Sequence, residues 1–103
     1  MAAPTQTTPE GEVLSKEQTA RPPRYNVIMH NDDYTTMEFV VEVLESVYRK
    51  QPAEATRIML TIHHEGRAVC GNYPFEIAET KVEQTHRRAR SAGHPLRCSI
   101  EEA

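Results

Sequence analysis

The stretch His30-Asn31-Asp32-Asp33-Tyr34-Thr35-Thr36-Met37-Glu38-Phe39 lies between a short β-prone run, Tyr25-Asn26-Val27-Ile28-Met29, and a helical pattern starting at Met37. Asn and Asp side chains hydrogen-bond to nearby backbone groups and so favour turns. Thr35, with Glu38 three residues on, has the form of a capping box: the threonine oxygen takes one free amide and the glutamate returns to another. The reading is a strand that ends, two carboxylates and an amide put on display, and a helix that begins with its positive dipole end beside them. On local signal alone, a well-capped turn without function is an equally good reading. The rest of the chain decides between the two.

Upstream, Arg24 to His30 is expected to form the first strand. Residues 1–23 hold four of the seven prolines, and Val13 and Leu14 are their only sizeable apolar side chains beyond Met1. Such a segment cannot bury enough surface to offset its ordering entropy, so a disordered N-terminal tail over 1–23 and a folded domain over 24–103 are expected.

Downstream, Val40, Val43, Leu44, Val47 and Tyr48 repeat at helical spacing and predict a first helix from about Thr36 to Lys50. Valines oppose helix propensity, so packing must hold it. Pro52 suits the first position of a second helix, whose apolar stripe is Ala55, Ile58, Met59 and Ile62, and Gly66 is placed to end it in a left-handed cap. Arg67 to Tyr73 reads as a second strand in which Gly71 marks a bulge or a close backbone approach. Pro74 opens a third helix that directs Phe75, Ala78, Val82 and Ala89 inward and ends in the basic turn His86-Arg87-Arg88-Ala89-Arg90. Gly93 and Pro95 stop it, and Leu96 to Ile100 alternates as a last strand. The order β-α-α-β-α-β predicts an α+β fold, a small antiparallel three-stranded sheet packed against three helices.

A chain of 103 residues has room for one modest core. Its 38% hydrophobic content and mean hydropathy of −0.64 suit a soluble protein. No apolar run approaches the roughly 18 residues of a membrane span, and no charged-then-apolar leader opens the sequence. A cytoplasmic, monomeric protein is expected, without membrane contact. A net charge of −3 argues against a nucleic-acid binder, and the basic turn reads as a solvated helix end. Cys70 and Cys98 sit among apolar or strand-type neighbours and are expected as buried thiols, not a disulfide. Chemistry is hard to find. His63 and His64 are adjacent, whereas a chelating pair on a helix is spaced by three or four, and no Cys-x-x-Cys occurs. Nothing marks an exposed, electropositive thiol, and no glycine-rich phosphate loop is present. Neither a metal, a cofactor nor a catalytic residue is expected.

Several blocks, taken together and in order, resemble one family. They are Tyr25-Asn26-Val27-Ile28, Asn31-Asp32-Asp33-Tyr34-Thr35, Met37-Glu38-Phe39-Val40, Met59-Leu60, His63, Gly66, Ala68-Val69-Cys70-Gly71, Ala78-Glu79-Thr80-Lys81-Val82 and His94-Pro95-Leu96. From about Pro22 onward the chain is similar to the ClpS family, adaptors of the AAA+ protease machine formed by ClpA, or a relative, with ClpP. The resemblance implies the fold of the C-terminal domain of ribosomal protein L7/L12, in agreement with the element order above. It also implies that the protein binds the free α-amino group and large hydrophobic first residue (Leu, Phe, Tyr or Trp) of N-degron substrates and delivers them to a Clp unfoldase.

By the same resemblance, Asn31, Asp32 and His63 grip the α-amino group. Thr35, Met37, Val40, Met59, Ile62 and Leu96 line the side-chain pocket, with Met37 as the gatekeeper against β-branched residues. Glu76, Glu79, Thr80 and Lys81 dock the N-terminal domain of a ClpA-type unfoldase, Lys81 foremost. The chemistry is consistent: an α-ammonium carries three donors, and an amide carbonyl, a carboxylate and a neutral imidazole each accept. Protonating His63 would replace an acceptor by a donor, so acid is expected to weaken binding. Asp33 is assigned to the loop's own hydrogen bonding, and Tyr34 to walling or covering the site. The family usually has Pro where Thr36 stands, which bears on loop rigidity. Three charge-assisted hydrogen bonds and one buried side chain give roughly 6–12 kcal/mol gross. Subtracting at least about 4 for lost freedom leaves an affinity no tighter than about micromolar. Two other classes compete: a ribosome- or translation-factor-binding module of the same fold, and a thiol or metal enzyme.

Overall fold

The computed structural model describes residues 23–103, so the tail expected over 1–23 lies, Pro23 apart, outside the described residues. The element order is β1 (Arg24–His30), α1 (Met37–Ser46), α2 (Pro52–Glu65), β2 (Arg67–Pro74), α3 (Phe75–Ala92) and β3 (Arg97–Glu102). The sheet is antiparallel with strand order β2-β1-β3, and the fold is α+β, as the apolar spacing predicts. Both outer strands run against β1 and hence parallel to each other, which requires a crossover, and α3 supplies it.

Strand alternation assigns the two sheet faces. Val27 and Met29 of β1, with Cys70 and Cys98 on either side, join the core beneath the helices. Asn26 and His30 point the other way into a polar layer: Asn72 Nδ2 donates to Asn26 Oδ1 at 2.9 Å, and His30 Nε2 lies 2.7 Å from Ser99 Oγ. The helices close the core with Val40, Val43 and Leu44 from α1, Val47 and Tyr48 beyond it, Ala55, Ile58 and Ile62 from α2, and Ala78 and Ala89 from α3. Thr85, fully buried on α3, gives its single proton to the Lys81 carbonyl at 2.8 Å, so the Tyr48 hydroxyl at 2.7 Å is the donor to Thr85 Oγ1. Both cysteines are buried and free.

Four local readings need correction. The cap of α1 is Thr36, whose Oγ1 accepts from Phe39 N at 3.1 Å, while Thr35 turns back onto Asp32. The helix also ends at Ser46, short of Lys50, because Arg49 takes a left-handed conformation (φ 60°) that lets Lys50 N reach the Leu44 carbonyl at 3.0 Å. Phe75, expected inward, is 44% exposed; it begins α3 and packs its ring edge-on against Tyr25 at 5.1 Å. The last strand begins at Arg97 and runs on to Glu102, leaving Leu96 just before it. Gly66 and Gly93 do occupy left-handed caps, at φ 91° and 80°. At Gly71 both expectations meet: the register slips past Cys70, and a Cβ there would stand 2.3 Å from Tyr73 Oη.

Candidate functional site

The loop joining β1 to α1 is held by its own aspartate. Asp32 Oδ1 accepts from the backbone of Tyr34 at 2.8 Å and of Thr35 at 2.7 Å, and Oδ2 accepts the Thr35 hydroxyl at 2.7 Å. Partial burial pushes this carboxyl up, but the Thr35 side-chain and backbone bonds, the Tyr34 amide and nearby His94 together outweigh it, so Asp32 sits below the usual carboxylate range. It is therefore an anion at neutral pH. The loop-closing hydrogen bonds expected of Asp33 are made by Asp32.

The loop is pinned to the far end of α2. Asn31 N donates to the carbonyl of Gly66, the left-handed residue that ends that helix, at 2.9 Å. One turn earlier on α2 stands His63, exposed, its ring 5.3 Å from that of His64 in an edge-on arrangement. A glycine cap and one backbone hydrogen bond thus bring Asn31 and His63 to the same place from positions 32 apart in sequence.

A cavity of about 550 Å³ opens there. Its polar lining includes Asn31, Asp32, Thr35 and His63, and its apolar lining is Met37, Val40, Met59 and Ile62. Val40 and Ile62 are buried, Met59 is half-buried and Met37 is 43% exposed, so the cavity reaches from core to solvent. The volume falls within the range of small-molecule sites. Leu96, also expected in the lining, is not among these residues; at 4% exposure it packs in the core cluster that holds Val40 and Ile62 as well. Asp33, Tyr34, Thr36 and Glu38 complete the wall. His94 was also missed as a neighbour of the site; its ring packs on Phe39 at 4.6 Å, and only three-dimensional proximity, not spacing, brings it near Asp32.

The four residues expected to dock an unfoldase divide between two faces of α3. Glu76, Glu79 and Thr80 are exposed and line a groove of about 640 Å³ toward β3. Lys81 turns toward α1, donating to the Val47 carbonyl at 2.7 Å with its ammonium 5.8 Å from the Tyr73 ring centre. Among the described residues no group of three or more His, Cys, Asp or Glu side chains is placed to hold a metal ion. The Glu83–His86 pair at helical spacing is otherwise engaged: Glu83 pairs with Arg87 at 3.0 Å, and His86 Nε2 accepts from Cys98 N at 3.0 Å. Among the described residues no helix is long and apolar enough to cross a membrane.

Comparison with known proteins follows the site residues. The family described as "ATP-dependent Clp protease adaptor protein ClpS" matches residues 20–99. An ATP-dependent Clp protease adapter protein ClpS from Nitratidesulfovibrio vulgaris is 54% identical over 91 residues, covering 88% of this chain and 91% of its own length. One from Shewanella piezotolerans is 54% identical over 88 residues, 85% of this chain and 86% of its own. Among solved structures, Agrobacterium tumefaciens ClpS2 bound to L-phenylalaninamide superposes with a TM-score of 0.78 at 40% identity, covering 81% of this chain and all of that one.

Proposed function

The chain belongs to the ClpS family, adaptors of the ATP-dependent Clp protease, and from that premise we propose that it captures proteins by their first residue and passes them to the protease. Its ligand is a free α-amino group followed by a large hydrophobic side chain: Leu, Phe, Tyr or Trp. The observation that carries this reading is the single cavity in which Asn31, Asp32 and His63 meet Met37, Val40, Met59 and Ile62. An ammonium needs acceptors and, better, a negative charge; Asp32 provides both. The benzyl group of L-phenylalaninamide, bound by the related ClpS2, is a side chain of this class, and its free amine and carboxamide reproduce the start of a polypeptide. Methionine suits a wall that accepts several shapes, being unbranched and polarizable.

Binding proceeds by exchange of partners. The ammonium leaves water for the Asp32 carboxylate, the Asn31 side-chain oxygen and an imidazole nitrogen of His63, while the side chain leaves water for the methionine-lined wall. No bond in the substrate is made or broken. Delivery then uses α3, where Glu76, Glu79 and Thr80 form an exposed polar face for the N-terminal domain of a ClpA-type unfoldase, acting with ClpP in the cytoplasm. Lys81 serves this surface by fixing the end of α1 through the Val47 carbonyl.

The direct test is a set of free-amine peptides that differ only in the first residue, titrated against the protein. Binding limited to Leu, Phe, Tyr and Trp supports the assignment, and equal binding of Ala- or Asp-led peptides refutes it. Pull-down separates delivery from the competing translational role: a Clp unfoldase should be recovered with the protein, and ribosomal components should not.

A further inference from the structure

A second concave surface lies between α1 and α3, a groove of about 770 Å³ walled by Phe39, Glu42 and Arg49 on one side and Lys81, Arg87 and Arg88 on the other. Four cations and one carboxylate gather here in a chain whose net charge is −3. Two of the cations are engaged: Lys81 with the Val47 carbonyl and Arg87 with Glu83. Arg49 and Arg88 form no ion pair among the described residues. Arg49 also holds a left-handed conformation that favours glycine or asparagine, so the turn keeps a guanidinium at a position where a smaller residue would fit the backbone better.

The groove and the cavity share α1 as a wall, Phe39, Glu42 and Ser46 facing the one and Met37, Glu38 and Val40 the other. Phe39, on the groove side, lies between Glu38 and Val40, which wall the cavity, and packs on His94, the residue that helps hold Asp32 ionised. From Phe39 to Ser46 the groove follows the axis of α1 for about 10 Å, and Arg49 lies past the helix end, in the turn that follows.

We propose that this groove is a second subsite for the same substrates, one that reads charge: it takes Asp or Glu residues carried further along the chain than the first. The inference rests on the cavity as the seat of the first residue. A peptide suits the groove better than a nucleic acid does, because Glu42 interrupts the cations and the rest of the chain is acidic, which a continuous polyanion could not avoid. Flexible acidic side chains reach Arg88 and Arg49 on either side of Glu42. The first residue then decides whether a protein is bound, and the charge further along decides how long it stays.

The test uses fluorescent, Phe-led, free-amine peptides that are alike except for a downstream block of Asp, Asn or Lys. At low salt the Asp peptide should bind about three- to tenfold tighter than the Asn peptide, the Lys peptide should bind more weakly than either, and salt should close the gap. The double variant Arg49→Gly and Arg88→Gln, or Arg88→Gln alone if the double variant folds poorly, should lose the Asp advantage and leave the Asn peptide unchanged. Equal binding of Asp and Asn peptides overturns the subsite while leaving the cavity reading intact. An Asp advantage that survives in the variants removes it from this groove. Failure of all three peptides to bind overturns the cavity reading, and the subsite with it.

Discussion

Thr35 closes on Asp32 from two directions, its hydroxyl 2.7 Å from Oδ2 and its backbone N–H 2.7 Å from Oδ1 of the same carboxylate. With the Tyr34 amide also on Oδ1, three of the roughly four acceptor positions of the carboxylate are occupied. The remaining one, on Oδ2, is the position the ammonium would take. Loop closure and the proposed ligand recognition therefore fall on one side chain.

Separating those two roles is the first prediction. Asp32→Ala leaves three donors without their acceptor and should cost about 1–2 kcal/mol of stability, in the manner of a lost helix cap, as well as peptide binding. Asp32→Asn keeps one carbonyl oxygen for the amides and should destabilise less, yet weaken peptide binding about tenfold or more through loss of the charge. Urea unfolding beside peptide titration checks both, and equal effects of the two variants on binding and stability would contradict the assignment.

The acid limb follows from the same carboxyl. Asp32 is depressed in the folded protein, so its contribution to stability is fully present above the ordinary carboxylate value of about 3.9 and is lost as pH falls through the lower folded value. The urea midpoint of the parent protein should drop more steeply in this window than that of Asp32→Asn.

Two imidazoles predict a separate slope at milder pH. Burial first, then Arg97 and Arg67, lower His30; burial first, then Arg90 and Arg97, lower His86. Both resist protonation when folded, so the unfolded chain binds more protons once pH drops toward the ordinary imidazole value of about 6.5. Stability is greatest above that value and declines as pH falls through the lowered ones, as protonation takes the acceptor nitrogen of His86 from Cys98 N. The urea midpoint should fall between pH 7 and pH 5, and the double variant His30→Asn and His86→Gln should flatten the fall. A level midpoint in the parent protein would contradict this.

Gly71 should be intolerant for a local reason. A Cβ there meets Tyr73 Oη at 2.3 Å and ring carbons at 2.6 Å, so the tyrosine must swing away from Lys81. Gly71→Ala should cost about 1–3 kcal/mol. In a Tyr73→Ser background the same substitution should be nearly neutral, and an undiminished cost in that background would place the strain elsewhere.

Met37, half in and half out of the cavity wall, is the test of side-chain selection. Met37→Ala should let Val- and Ile-led peptides bind while keeping Phe-led ones within about tenfold of their original affinity. Unchanged exclusion of β-branched residues would remove Met37 from the gate.

The fold was legible where a residue type has one physical use. Valines and leucine at helical spacing placed α1, Pro52 and Gly66 bracketed α2, and Gly93 stopped α3. The end of α1 was hidden because a non-glycine residue, Arg49, makes the left-handed turn. Thr35 and Thr36 exchange roles because adjacent threonines offer the same hydroxyl, and only the position of Asp32 decides which one caps the helix. At the site, Asn31, Asp32 and His63 come together because Gly66 ends α2 beside the loop, an arrangement that spacing alone cannot express. Leu96 poses the opposite difficulty: an apolar residue that lines a pocket and one that only fills the core look alike in a sequence, and Leu96 packs in the core cluster that also holds Val40 and Ile62.

The claim at the centre of the account is that a charged chain start is gripped by Asn31, Asp32 and His63 beside a greasy wall. Titration calorimetry of one Phe-led peptide with a free amino end, set against the same peptide acetylated at that end, tests it most directly. The free peptide should bind, and acetylation, by removing the ammonium and its three charge-assisted bonds, should weaken binding about a thousandfold or more. Equal affinity for the two peptides would contradict the account.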